Sequence, residues 1–194
     1  EVWGLAAGGV VPVLVDYGLP RVPRSVVVDA RMAKRPLDTR PDDAPLVVAL
    51  GPGFVAGEDC HAVVETLRGS HMGRVLWEGS TEPDTGTPAP VGGRTADRVL
   101  RAPVDGTVGW DRRIGDLVEA GEVLGRVGGR EVTAPFDGLV RGLILDGIKV
   151  ASGTKVGDVD PRGKTASAHE VSDKALAVGG GVLEAVLTWL NRTG

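Results

Sequence analysis

Ala102-Pro103-Val104-Asp105-Gly106-Thr107-Val108 returns 32 positions later as Ala134-Pro135-Phe136-Asp137-Gly138-Leu139-Val140. The match continues at a fixed offset. Gly115 pairs with Gly147, Val118 with Val150, Gly121 with Gly153, Gly125 with Gly157 and Val127 with Val159. A repeat at constant period is the first thing to settle in a sequence, because it decides the unit that folds. Each copy holds short valine-rich runs separated by Gly and Asp-Gly turns, the signature of short strands in a compact β unit. One copy has too few apolar positions to close a core. Two must intertwine, so residues 99–160 are expected to form a small all-β domain with pseudo-twofold symmetry.

The pattern Ala-Pro-x-x-Gly-x-Val followed by Gly-x-x-Val-x-x-Gly resembles the barrel-sandwich hybrid of biotinyl and lipoyl carrier domains. In those carriers the hairpin between the halves presents a lysine that receives the prosthetic group. Here the hairpin reads Val127-Gly128-Gly129-Arg130-Glu131-Val132, and arginine, which stays protonated, is no acyl acceptor. Lys149 and Lys155 lie in the second half, away from the tip. The resemblance therefore implies the carrier fold used as an unmodified scaffold or docking surface.

Outward from the repeat, the chain divides into residues 1–98, 99–160 and 161–194. The fold class expected is mainly β with some α: an N-terminal α/β or mixed region, the sandwich, and a C-terminal tail and helix packing on the rest. In the first region Val10–Val15, Val26–Val28, Leu46–Leu50 and Val75–Trp77 read as strands. Segment 60–67 is expected to be a strand paired with 74–78 through the turn at 68–73. Residues 30–45 and 79–98 are proline-punctuated loops. Leu5-Ala6-Ala7-Gly8-Gly9 reads as a helix end entering the first strand, as though the chain continued something longer. Asp173–Leu190 reads as a helix capped by Ser172, with Leu176, Val182, Leu183, Val186, Leu187 and Leu190 as its apolar stripe. Gly179-Gly180-Gly181 interrupts it at roughly 1 kcal/mol per glycine relative to alanine, which calls for close backbone packing or a functional break.

Bulk properties exclude several classes. The 194 residues carry a net charge of −4 with no long basic run, which argues against nucleic acid or an anionic membrane as partner. No apolar run approaches the ~18–20 residues of a spanning helix. A single cysteine, Cys60, leaves no internal disulfide framework or Cys-rich zinc site and fits a reducing cytoplasm.

Candidate chemistry sits in four places. Arg31, Lys34, Arg35 and Arg40, interleaved with Asp42 and Asp43, offer guanidinium forks to an anion or staple the loop internally. Gly51 and Gly53 follow a strand and allow close backbone approach, though Pro52 removes a donor and no phosphate-loop pattern is matched. The densest polar group is Asp59, Cys60, His61, Glu65, Thr66, Arg68 and His71. On a strand His61 and Glu65 share a face, so His61 is the candidate acid/base and Glu65 its orienter. The His spacing is no established zinc signature, and no metal is assigned. Asp160 and Arg162, at the end of the second repeat, are further candidates for a shared pocket.

Read together, these segments resemble the accessory-protein family encoded with selenium-dependent molybdenum hydroxylases. The carrying residues are Ala33-Lys34-Arg35, Asp42–Leu46, Gly51-Pro52-Gly53-Phe54, Ala56-Gly57, His61–Thr66, Arg68-Gly69 and Glu78-Gly79-Ser80. Pro83–Gly86, Gly157–Gly163, Ser172–Ala175 and Gly180–Ala185 continue the series. The resemblance spans nearly the whole chain. It implies a cytoplasmic factor that matures or supplies the cofactor of a molybdenum hydroxylase, with that enzyme or its maturation machinery as partner. The expected ligand is an anionic small molecule held by Arg31, Lys34, Arg35 and the His61–His71 cluster; no cofactor of the factor's own is assigned. The alternatives are an enzyme using His61/Glu65 on a phosphorylated or selenylated substrate, and a carrier-like docking module. Such proteins usually begin with a Rossmann-like segment bearing a glycine-rich nucleotide turn, expected here only from its last helix and strand onward.

Overall fold

The computed structural model describes residues 4, 8–9, 11–14, 18–19, 22–35, 37–84, 92–94, 96–165 and 168–193. The strands are β1 (Val26–Asp29), β2 (Leu46–Leu50), β3 (Val55–Ala56), β4 (Ala62–Val64), β5 (Val75–Leu76), β6 (Gly79–Ser80), β7 (Val99–Arg101) and β8 (Gly106–Trp110). They continue with β9 (Leu117–Val118), β10 (Val123–Val127), β11 (Arg130–Thr133), β12 (Gly138–Leu143), β13 (Lys149–Val150) and β14 (Lys155–Asp160). One helix, α1 (Asp173–Thr193), closes the described chain. The protein is mainly β with some α, as the sequence predicts.

The repeat folds with an internal dyad. One sheet runs β11-β10-β8-β13 and the other β7-β14-β12-β9. Shifting each strand of the second by 32 residues yields its counterpart in the first. The hydrogen bonds obey the same operation. Gly115 N–H donates to Val140 O at 2.8 Å, and Gly147 N–H to Val108 O at 2.9 Å. Asp137 Oδ1 accepts from Ala120 N–H at 2.8 Å, and Asp105 Oδ1 from Ser152 N–H at 2.7 Å. Apolar residues from both copies, among them Val108, Val140, Leu124, Val156, Val127 and Val159, fill one core. Gly106 and Gly138 explain why the Asp-Gly pair is repeated: a Cβ would lie 2.4 Å from Gly128 Cα in one copy and 2.5 Å from Asp160 O in the other.

The first region is a four-stranded sheet ordered β1-β2-β4-β5, parallel across β1, β2 and β4 and antiparallel at β5. Every residue of Leu46–Leu50 is buried, as a parallel strand covered on both faces demands. Period-two alternation sends Val47, Ala49 and Val63 to one face with Phe54 and Cys60. Leu46, Val48, Leu50 and Val64 go to the other face, where α1 covers them. The C-terminal helix thus completes the core of the first region.

Three expectations change. Residues 11–14 form no strand, and Val11 and Val13 stand 85% and 88% exposed, with no partner strand among the described residues; the rest of Val10–Val15 and most of Leu5–Gly9 lie outside the described residues. The strand expected over 60–67 is only Ala62–Val64, though it pairs with β5 as anticipated, Val63 opposite Leu76 and Val64 opposite Val75. The helix buries Val178, Gly181 and Ala185 and packs Val182 and Val186 of the expected stripe against the core, while Leu176, Leu183, Leu187 and Leu190 face outward. The reason is steric: a Cβ on Gly181 would lie 2.2 Å from Gly73 O and 2.7 Å from Val64 Cγ1. Small residues let the helix backbone settle on the sheet, where leucines cannot fit.

Candidate functional site

In a parallel sheet the carboxyl ends of the strands are where loops converge and ligands bind. Here that edge gathers Asp29 from β1, Gly51 after β2, and Glu65 and Thr66 after β4. A Cβ on Gly53 would lie 2.5 Å from Ala33 O and 2.7 Å from Arg35 N, so Gly51-Pro52-Gly53 packs directly under the loop that follows β1. That loop contains Met32 at φ 53, a left-handed conformation that a side-chain-bearing residue adopts only under constraint.

Arg31 of this loop is already engaged. Arg31 donates from Nη2 to Asp29 Oδ2 at 2.6 Å and to Thr39 Oγ1 at 2.8 Å, and its Nη1 lies 2.8 Å from Asp38 Oδ1. Thr39 donates a short hydrogen bond to Asp29. Burial works against charge on Asp29, yet the bonds from Arg31 and Thr39 more than offset it and hold the carboxyl below its ordinary range. Arg31, Asp29, Asp38 and Thr39 line a cavity of about 420 Å³ on the outer side of β1. Arg40 and Asp43 serve the turn: Asp43 accepts from Arg40 N–H at 2.8 Å. Arg35 and Asp42 are exposed and touch neither cavity.

His61 and Glu65 are not brought together. They bracket β4 at opposite ends, four residues apart, on the order of 13 Å along an extended strand. His61 Nδ1 accepts from Val47 N–H at 3.0 Å while the His61 backbone N–H donates to Val47 O at 2.9 Å, extending the ladder to the amino edge. Asp59 closes the neighbouring turn by accepting from Val55 N–H at 2.9 Å. Cys60 is buried, and burial followed by the Asp59 charge pushes its thiol up to about 11, the opposite of a reactive thiolate. The acid/base pair expected from strand alternation therefore does not form.

Glu65 belongs to a different group. It is 2% exposed, and its two oxygens accept from Leu67 N–H and Glu82 N–H, each at 2.7 Å. With His71, Arg74, Thr81 and Glu82 it lines a cavity of about 440 Å³ beside β6. His71 Nδ1 stands 3.7 Å from Glu82 Oε1 at the rim.

Sequence reasoning missed Lys174, the first-turn lysine of α1. Burial, then Arg68 and Lys34, hold its ammonium below the ordinary lysine range, with Glu65 pulling the other way. Lys34 is tied to Asp84 at 2.9 Å and Arg68 to Asp173. Arg162 acts on both Arg68 and Asp173 while forking onto Asp160 at 2.6 Å. Lys34 and Arg68 thus act on Lys174, and Arg162 acts on Arg68, while Lys34, Arg68 and Arg162 each also hold a carboxylate, Asp84, Asp173 and Asp160. Only the burial of α1 against the sheet could have signalled it, and that face is set by tertiary packing.

No family model matches the chain. It is 47% identical over 195 residues to Uncharacterized protein YqeB of Escherichia coli (strain K12), a match covering 99% of this chain and 36% of that protein. The chain therefore spans about a third of the length of this curated relative. Among solved structures, an aspartoacylase family protein from Mesorhizobium loti aligns over 34% of this chain and 23% of its own, with 20% identity and a TM-score of 0.31. A succinylglutamate desuccinylase/aspartoacylase from Rhodobacter sphaeroides aligns over 34% and 22%, with 27% identity and the same TM-score of 0.31. Among the described residues no group of three His, Cys, Asp or Glu is placed to hold a metal ion, and no helix is long and apolar enough to cross a membrane.

Proposed function

We propose that this chain serves an accessory factor that matures or supplies the cofactor of a selenium-dependent molybdenum hydroxylase, and that the carboxyl edge of its parallel sheet receives an anionic cofactor precursor. The resemblance of nearly the whole sequence to that accessory family supports the pathway. The convergence of Lys34, Arg68, Arg162 and Lys174 supports the ligand class. Lys174 carries the argument, because among the described residues it forms no ion pair while two other cations act on it. A half-buried ammonium whose neighbouring cations outweigh the pull of Glu65 gains when an anion arrives. The sandwich, with Gly128-Gly129 where carriers present lysine, acts in this reading as the surface that docks the client enzyme.

Calorimetric titration with pyrophosphate tests the site. Lys174→Gln combined with Lys34→Gln is expected to weaken binding at least tenfold. Unchanged affinity in the double variant would remove the site from consideration. Recovery of the molybdenum hydroxylase on the tagged protein in its native host, identified by mass spectrometry, tests the pathway separately.

A further inference from the structure

We infer that the cavity beside β6 takes the hydrogen-bond-donating end of the same ligand, with Glu65 and Thr81 as the recognising groups, so that the ligand is a phosphorylated compound whose head carries neighbouring N–H or O–H donors. This rests on the anion site above and goes beyond it.

Three observations carry the inference. Glu65 is buried and ionisable, and each of its oxygens spends one lone pair on a backbone N–H and keeps the other. A carboxylate with a lone pair left on each oxygen can accept from two neighbouring donors, such as vicinal hydroxyls or an aminopyrimidine edge. Thr81, on the same wall, is 7% exposed, and its Oγ1 has no hydrogen-bond partner among the described residues. A buried hydroxyl left unpaired in a native fold calls for an explanation, and a ligand supplies one. The cavity also joins the cation group: Glu65 acts on Lys174, and Asp84, next to the lining residue Pro83, holds Lys34. Two carboxylates, Glu65 and Glu82, exclude the phosphate itself from the cavity and direct it to the lysines. Val75 and Pro83 give the space apolar walls suited to a flat ring or a sugar face.

The test is calorimetry on the 194-residue chain with inorganic phosphate, ribose 5-phosphate and guanosine 5′-monophosphate. At least one organic phosphate is expected to bind tenfold or more tighter than inorganic phosphate. A gain already present with ribose 5-phosphate assigns the cavity to hydroxyls; a gain that appears only with the nucleotide assigns it to the ring edge. Glu65→Gln should reduce the advantage below threefold while leaving inorganic phosphate bound no more weakly. Thr81→Val, nearly the same shape, should do the same and keeps the test sound if Glu65→Gln fails to fold. Equal affinity for all three compounds would overturn the inference and leave the anion site standing. Failure of all three to bind would remove both.

Discussion

Arg68 reaches Asp173 across 105 residues of sequence, its Nη2 donating to Oδ1 at 2.9 Å, and so ties the turn after β4 to the first turn of α1. The link places Arg68 and Lys174 side by side and also occupies part of the positive charge there. Asp173→Asn is therefore expected to release Arg68 and strengthen pyrophosphate binding severalfold. Arg68→Gln is expected to weaken it by a similar factor. Calorimetry at low ionic strength measures both, since screening would mask the difference in high salt. Equal affinities across the pair would show that Arg68 does not face the ligand.

The glycine run in α1 separates by position. Gly179 and Gly180 have open space where a Cβ would stand, whereas Gly181 meets Gly73 O and Val64 Cγ1. Alanine at 179 or 180 is expected to stabilise the protein by about 1 kcal/mol through helix propensity. At 181 the same propensity gain is outweighed by overpacking that costs roughly 1–3 kcal/mol. Urea unfolding of the three single variants checks the opposite signs. Stabilisation at 181 would mean that the helix sits farther from the sheet.

His61 provides a test of the acid/base alternative. Its Nδ1 accepts from Val47 N–H, on a residue with no exposure at all. His61→Ala leaves that buried donor unpaired, at about 1–3 kcal/mol of stability. Ligand affinity is expected to stay within twofold of wild type, because His61 lies at the amino edge and the cations at the carboxyl edge. A loss of affinity larger than tenfold, with stability intact, would return His61 to the site.

The repeat was legible because a duplicated core imposes itself on sequence: paired Ala-Pro-x-Asp-Gly turns and paired valines must recur where the dyad places them. The strands Val26–Asp29 and Leu46–Leu50 were legible for a similar reason, since β-branched runs bounded by turns leave few alternatives. The site was less so. His61 and Glu65 share an alternation phase, but phase says nothing about distance along a strand, and each found a backbone partner of its own. Asp29 and Arg31, and again Asp160 and Arg162, repeat one local device in which an arginine two residues on forks back onto a buried strand-end carboxylate. The spacing shows this in retrospect. Lys174 depends on which face of α1 is buried, and Gly181, rather than the leucine stripe, decided that.

The two strand-end carboxylates set an acid limit on the fold. Asp29 and Asp160 have side chains only 3% and 4% exposed. The hydrogen bonds from Arg162, opposed by burial, hold Asp160 below its ordinary range, and Asp29 is lowered as well. A carboxyl with a lower pKa folded than unfolded binds fewer protons in the native state. Its contribution is thus complete above the unfolded value of about 3.9 and is lost as pH falls through the folded value. Asp160→Asn is expected to cost about 1–3 kcal/mol at pH 7, consistent with a charge-assisted bond to a half-exposed arginine. Below about pH 4 the wild-type protein should lose stability faster than the variant, so that the two unfolding curves approach each other. Urea midpoints between pH 7 and pH 2.5 measure the convergence. A constant gap across that range would show that the ionised carboxylate adds nothing to the fold.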